Sequence, residues 1–309
     1  FGQITSYSQG SYSSSIEYDE FGKLEEITTG SVFNMIYTYD DAGNMLTRND
    51  VLTNQKEEFT YDNLNRLTGI DYYLNNTHTS IGDLDIGYDD GGNITSKSDV
   101  ATIINYGEGI AGPHALTSIE RVMPEYTPHP QNITYTDFNK VQTIQDTVSQ
   151  DTTLLLTFSY GLNNQRVRMI QSRNSTIERI KYYSGDYEED STASGIKKYH
   201  YISAPNGLTA IFVQEGSADT LFHVLKDHLG SLTAVINSES DEVKRYSYTA
   251  WGVPRDPDDW TQPYEGELFA DRGFTGHEHL LEFSLINMNG RIYDPVLGRF
   301  LSPDPFVQA

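Results

Sequence analysis

The sequence contains no cysteine, so disulfides, zinc–thiolate centres and thiol nucleophiles are excluded together. No apolar run approaches the roughly 18 residues of a helical membrane span. The chain opens Phe1-Gly2-Gln3-Ile4, without an initiator Met or a basic and apolar leader, and we expect the true N-terminus to lie upstream. Basic residues are few: 21 Lys and Arg stand against 44 Asp and Glu, a formal net charge of −23. A surface of that sign repels phosphate backbones and anionic membrane and offers no basic stripe, so nucleic acid is not an expected partner. The charge suits the solubility of a large exposed β surface. A Gly-x-Ser-x-Gly elbow, a phosphate-binding loop and a dinucleotide fingerprint are all missing, and no cofactor is expected.

What the chain does have is aromatic residues and a repeat. Only 37% of its 309 residues are hydrophobic, but 22 Tyr and 13 Phe predict a core built from rings, which fit pleated strands better than helical bundles. One unit recurs, in the forms Ile16-Glu17-Tyr18-Asp19-Glu20-Phe21-Gly22-Lys23-Leu24, Tyr37-Thr38-Tyr39-Asp40-Asp41-Ala42-Gly43-Asn44-Met45, Phe59-Thr60-Tyr61-Asp62-Asn63-Leu64-Asn65-Arg66-Leu67 and Ile86-Gly87-Tyr88-Asp89-Asp90-Gly91-Gly92-Asn93-Ile94. Degenerate copies follow around Tyr135 and Tyr160. The first four tyrosines stand 21, 22 and 27 residues apart, a spacing of hairpin size. Apolar and polar residues alternate on either side of Asp-x-x-Gly/Asn, which predicts two strands and a turn whose Gly or Asn adopts positive φ. A lone hairpin is marginal in water, whereas stacked hairpins cover one another's edges and align their tyrosines. A four-stranded propeller blade would need about 40 to 45 residues and a Trp-Asp signature that is absent. Gly107 to His114 with Met123-Pro124 and Pro128-His129-Pro130 reads as a longer surface loop, and Ser184-Gly185-Asp186-Tyr187-Glu188-Glu189-Asp190-Ser191 as an acidic, exposed connection. Near residue 200 the Tyr-Asp unit stops.

At these residues the sequence resembles the YD-repeat, or rearrangement-hotspot (RHS), family. Residues from about 220 onward resemble its repeat-associated core, through Lys226-Asp227-His228-Leu229-Gly230, Arg245-Tyr246-Ser247-Tyr248-Thr249-Ala250-Trp251-Gly252, Phe274-Thr275-Gly276-His277-Glu278 and the run from Leu285-Ile286-Asn287 through Gly290-Arg291-Ile292-Tyr293-Asp294-Pro295-Val296-Leu297-Gly298-Arg299-Phe300-Leu301-Ser302-Pro303-Asp304-Pro305. The resemblance implies an all-β fold, a right-handed spiralling antiparallel sheet of about a dozen stacked hairpins. It divides the chain into a YD-repeat β-shell over 1–200 and a core region over 201–309 that folds inward near the shell's end. It implies an exported bacterial protein, secreted or at the cell surface, that encloses its own C-terminal toxin segment, as in the C component of insecticidal Tc toxins; animal teneurins are similar in architecture.

The resemblance also implies self-cleavage by a pair of carboxylates, and the matching residues are Asp294 and Asp304, with Arg291 and Arg299 placed to orient or neutralise them. Two carboxyls that share one proton can act as acid and base about one water. Against this stands the plain turn reading, since each Asp precedes a proline. The scissile peptide is expected beyond Ala309, and turnover of an external substrate is not expected. His277-Glu278-His279 suggests a metal site, but residues at i and i+2 of a strand face opposite ways, so no metal is assigned; His228 is expected to be a structural histidine at a turn. The repeat residues Tyr18, Tyr39, Asp40, Gly43, Tyr61, Asp62, Tyr88, Asp89, Tyr135 and Tyr160 form the shell's own ladder on one reading. On the rival reading, exposed tyrosines stack on glycans and the chain is a cell-surface adhesin.

Overall fold

Each hairpin turn is built by its Asp. In the Tyr39 repeat the Asp40 N–H donates to the Asn44 carbonyl at 2.9 Å and the Gly43 N–H donates to the Asp40 carbonyl at 3.0 Å. The Asp40 carboxylate accepts the Asn44 N–H at 2.7 Å, closing the loop. Gly43 has φ +91, and the strand pairing slips by one residue between Thr38 and Tyr39. This is the three-residue hairpin loop in which a left-handed residue follows a tight turn and leaves a bulge. Asn65, at φ +58, takes the same place in the Tyr61 repeat. Both backbone bonds recur at Asp19, Asp62, Asp89 and Thr136, and then at Asp227 and Thr249, well past residue 200. The turn therefore outlasts the Tyr-Asp signature: Lys226-Asp227 and Tyr248-Thr249 keep its geometry after its sequence has drifted.

The computed structural model describes residues 2–109, 113–122, 131–149 and 151–302. The chain is all-β, a stack of antiparallel hairpins, as the sequence predicts. It divides into two compact units, the first within 1–8, 12–128 and 255–263, the second within 9–11, 129–254 and 264–309. The first unit contains most of an eleven-stranded sheet whose strands follow chain order from Ser6–Gln9 to Leu116–Val122. Its core alternates along each strand. In Phe33–Tyr39 the buried positions are Phe33, Met35 and Tyr37; in Gln55–Tyr61 they are Gln55, Glu57 and Phe59, two of them polar.

The second unit carries a second eleven-stranded sheet, again in chain order, from Gln131–Tyr135 to Val243–Arg245. It runs through residue 200 without a break, in strand Gly195–Ala204. A four-stranded sheet of Glu278–Leu280, Leu285–Asn287, Ile292–Asp294 and Arg299–Phe300 forms at the C-terminal end. Two apolar clusters fasten this C-terminal segment to the face of the large sheet. In one, Leu280, Phe283, Leu285 and Ile292 meet Leu154, Leu156, Phe158 and Met169. In the other, Leu268, Phe274 and Ile286 meet Ile211, Val224, Leu232 and Val235. Each fully buried side chain of this size contributes about 1.5–3 kcal/mol.

The acidic stretch 184–191 corrects the sequence reading. It is not an exposed connection: Tyr187–Thr192 is a strand paired on both sides, and Glu188 and Asp190 are 2% and 5% exposed. Of the expected long loop, residues 110–112 and 123–130 lie outside the described residues.

Candidate functional site

The repeat tyrosines link neighbouring hairpins. Tyr61 donates to the Met45 carbonyl at 2.8 Å, Tyr88 to that of Leu67 at 2.8 Å and Tyr160 to that of Val141 at 2.6 Å. In each case the acceptor lies two residues beyond the left-handed residue of the preceding repeat. Tyr248 reaches Leu232 in the same way at 3.0 Å, although it lies outside the recognised repeats. Tyr18 donates to Ile4 at 3.1 Å. Burial raises the hydroxyl pKa of Tyr39, Tyr61, Tyr88, Tyr135 and Tyr160, the last to about 12, so all remain protonated donors at neutral pH.

A second set of bonds runs along the turns: Lys23 Nζ donates to the Asp40 carbonyl at 2.9 Å and Arg66 to that of Asp89 at 3.0 Å. The same cations lie over Tyr39 and Tyr88, 5.6 and 4.6 Å from the ring centroids. The turn carboxylates sit low in pKa: Asp40 and Asp89 chiefly through the side chains of Asn44 and Asn93, Asp62 chiefly through the Arg66 N–H.

Each unit holds buried charge. In the first, Glu57 accepts from Arg48 Nε at 2.9 Å and from Arg255 Nη1 at 2.5 Å, and Arg255 lies 3.9 Å over Trp260. Burial would raise the Glu57 pKa, but the two guanidiniums overcome it and hold it at about 2.

The second unit holds a larger network. Lys181, wholly buried, reaches Asp271 at 2.8 Å, Glu278 at 2.9 Å and Glu188 at 3.5 Å. Glu278 also binds Arg166 at 2.5 Å and Tyr183 at 2.9 Å; Arg179 binds Asp190 and, at 2.6 Å, Asp271; Arg272 pairs with Glu188. Four cations (Arg166, Arg179, Lys181, Arg272) thus face four carboxylates (Glu188, Asp190, Asp271, Glu278). The network lies between the two apolar clusters and ties strands of the large sheet to the C-terminal segment. Beside it a cavity of about 620 Å³ is lined by Leu156, Met169, Phe269 and Phe283 and by the committed charges of Arg179 and Asp190. Sequence reasoning missed the network. Its one local signal is the alternation in Tyr187-Glu188-Glu189-Asp190, which puts Glu188 and Asp190 on the same face of a strand.

Glu278 and His279 of the suspected metal motif are structural. His279 Nε2 accepts the Phe274 N–H at 2.9 Å, and burial lowers its pKa to about 3, so it is a neutral acceptor. His228 is the second residue of the Asp227 turn and is half-buried. Away from these residues, Asp71, His78 and Asp83 bring one ligand atom each within 4.8 Å of one another. The Asp83 carboxylate accepts the Tyr72 N–H at 2.9 Å beside a bulge and pairs with His78 at 3.0 Å, which accounts for the cluster as a hairpin clamp.

The C-terminal hairpin holds the residues suspected of catalysis. Asp294 closes strand Ile292–Asp294, opposite Arg299, and its Oδ1 accepts the N–H groups of Val296 and Leu297 at 2.9 Å each. Arg291 lies 3.7 Å over the Phe300 ring, which packs against Tyr293 at 5.3 Å between centroids. Tyr293 donates to the Trp251 carbonyl at 3.0 Å. Asp304 lies outside the described residues. The structure thus brings Asp294, Arg291 and Arg299 onto one small hairpin.

No protein-family model matches the chain. Among curated proteins, Salivary gland surface protein 1 of Aedes aegypti is 27% identical over 175 residues, 51% of this chain and 5% of that protein. The tRNA3(Ser)-specific nuclease WapA of Bacillus spizizenii is 26% identical over 156 residues, 48% of this chain and 6% of that one. The chain thus spans only a small fraction of the length of the curated relatives it matches. Among solved structures, the TcdB2-TccC3-Cdc42 crystal structure superposes with a TM-score of 0.73 at 16% identity, over 98% of this chain and 18% of that one. TcdB2-TccC3 without its hypervariable C-terminal region gives 0.70 at 17% identity, over 98% and 17%. Almost every residue of this chain therefore belongs to the fold found in a stretch of those much longer polypeptides.

Proposed function

We propose that the chain is part of an RHS-type shell that encloses a downstream effector segment of its own polypeptide, in an exported bacterial protein. Residues 1–200 supply repeat wall and 201–309 the core region that ends it. The observation that carries this reading is the C-terminal segment lying across the second sheet, fastened by two apolar clusters and a balanced buried charge network. A wall with such a closing layer is suited to containment, and the likeness in fold to TcdB2-TccC3 supports it. Release of the effector is by self-cleavage, with Asp294 and Asp304 as the carboxylate pair that shares a proton about one water and Arg291 and Arg299 in supporting positions. The experiment is to express a longer chain with its native downstream residues and follow its mass. The parent is cut once, and Asp294→Asn and Asp304→Asn stay whole; cutting of both variants at the parental rate refutes the carboxylate pair.

Glycan adhesion is the less favoured reading, because the rings of Tyr39 and Tyr88 are covered by Lys23 and Arg66. Glycan binding lost in Tyr39→Ala and Tyr61→Ala without unfolding would reverse that preference.

A further inference from the structure

The C-terminal segment is fastened to the second sheet by two separate apolar clusters, and the cavity of about 620 Å³ beside the charge network draws its lining from both. That volume is in the range of small-ligand sites. Leu156, Met169 and Phe283 supply apolar lining from one cluster. Leu268, Phe222 and Phe269 supply it from the other, with the two phenylalanine rings 4.5 Å apart.

Almost every charge on the lining is already matched: Arg179 with Asp190 and Asp271, Glu278 with Lys181, Glu282 with Arg173, and Lys197 with Glu215. Two are not. Among the described residues, neither the Lys244 ammonium nor the Glu267 carboxylate enters an ion pair. Lys244 Nζ donates instead to the Glu267 main-chain carbonyl at 2.8 Å, so one uncommitted cation and one uncommitted carboxylate stand at neighbouring, exposed residues of the lining. Two lining residues of the network also keep a polar atom in reserve. Arg179 donates through Nε and Nη2, leaving Nη1, and Asp271 accepts through Oδ2, leaving Oδ1.

This set of groups is selective. A purely apolar ligand would take both free charges out of water without a partner, and a long-chain acid or amine would match only one of them. A zwitterion matches both. Apolar lining from two clusters suits two side chains, and a peptide group joining them brings one acceptor and one donor for the reserve atoms of Arg179 and Asp271. We propose that the cavity binds a short zwitterionic peptide with large apolar side chains, its ammonium on Glu267 and its carboxylate on Lys244. The site needs neither containment nor self-cleavage.

The test is calorimetric titration of the 309-residue chain with L-leucyl-L-phenylalanine and with N-acetyl-L-leucyl-L-phenylalaninamide, which keeps both side chains and carries no charge. The dipeptide is expected to bind saturably at one site. Lys244→Gln and Glu267→Gln are each expected to weaken it by about two- to fivefold, the worth of one exposed ion pair, and to leave the blocked form unchanged. The blocked form is expected to bind the parent about four- to twenty-fivefold more weakly than the dipeptide does, the product of the two charges. Phe269→Ala is expected to weaken both ligands by about tenfold or more; if it does not fold by circular dichroism, the two charge variants, on exposed side chains, decide. Absence of saturable binding up to about 10 mM dipeptide overturns the site. Equal affinity for the two ligands, or parental affinity in both charge variants, overturns the recognition of a zwitterionic peptide. Dodecylphosphocholine that binds more tightly than the dipeptide and displaces it assigns the cavity to a zwitterionic lipid and also overturns the proposal.

Discussion

Replacing Lys181 by Met tests whether charge, and not only apolar area, holds the C-terminal segment to the second sheet. Lys181 is wholly buried and stands within 3.5 Å of Glu188, Asp271 and Glu278. Met keeps the length of the side chain and removes the charge, so the network passes from four cations against four carboxylates to three against four. Breaking a buried pair by removing one partner costs about 3–5 kcal/mol. Each carboxylate keeps an arginine here, Glu278 with Arg166, Asp271 with Arg179 and Glu188 with Arg272, which places the loss near the lower bound, about 3 kcal/mol. Adding Glu278→Gln restores the balance, and the double variant should be more stable than the sum of the single losses by about 1–3 kcal/mol. Lys181 is one of the charges that hold the carboxyls of Glu278 and Asp271 low, so Lys181→Met lets their folded pKa values rise toward the unfolded ones. The penalty is therefore full at neutral pH and shrinks as pH falls below the unfolded carboxylate range, where the parent loses the same stabilisation. Urea unfolding followed by Trp251 fluorescence in a Trp260→Phe background isolates the second unit. A Lys181→Met variant within about 0.5 kcal/mol of its parent, or a double variant whose losses simply add, refutes the reasoning.

Three further outcomes follow from the same structure. Glu57→Gln takes from Arg48 and Arg255 the carboxylate they share and should destabilise the first unit by about 3–5 kcal/mol; because Glu57 titrates near 2 when folded, its contribution is lost as pH falls below about 4.5, and the variant's stability should be flatter over that range. His279, with a folded pKa of about 3 against about 6.5 unfolded, makes the parent lose on the order of 2 kcal/mol between about pH 7 and pH 5, and His279→Gln, which keeps an acceptor for Phe274, should lose less by thermal melts at the two pH values. Tyr61→Phe deletes the bond to Met45 and should cost about 1 kcal/mol in urea unfolding, while Tyr61→Ala also loses the ring and should cost about 3 kcal/mol or more.

What the sequence made legible is what short-range chemistry decides. Asp40 and Gly43 announce a turn because the carboxylate caps the backbone four residues ahead and only a residue tolerant of positive φ can follow. The all-β stack follows from repeating that unit. The partner of each tyrosine was not legible, since the acceptor of Tyr61 lies in another repeat and is fixed only once the sheet has formed. Tyr187-Glu188-Glu189-Asp190 was misread for the same reason: its cations come from Arg179 and Lys181 on the next strand and Arg272 far along the chain. At the candidate site, the sequence motif singled out Asp294, Arg291 and Arg299, and the structure places them on one hairpin. The motif said nothing of Tyr135, which donates to the Leu301 carbonyl at 2.9 Å from 166 residues away.

The central claim, that this wall contains a segment of its own polypeptide, is tested most directly by adding protease to the full-length protein from outside. Containment predicts that the downstream segment survives for as long as the second sheet stays folded and is digested once urea unfolds it, at a lower urea concentration in Lys181→Met than in the parent. Digestion of that segment at the rate of the free peptide, with the wall still intact, would contradict it.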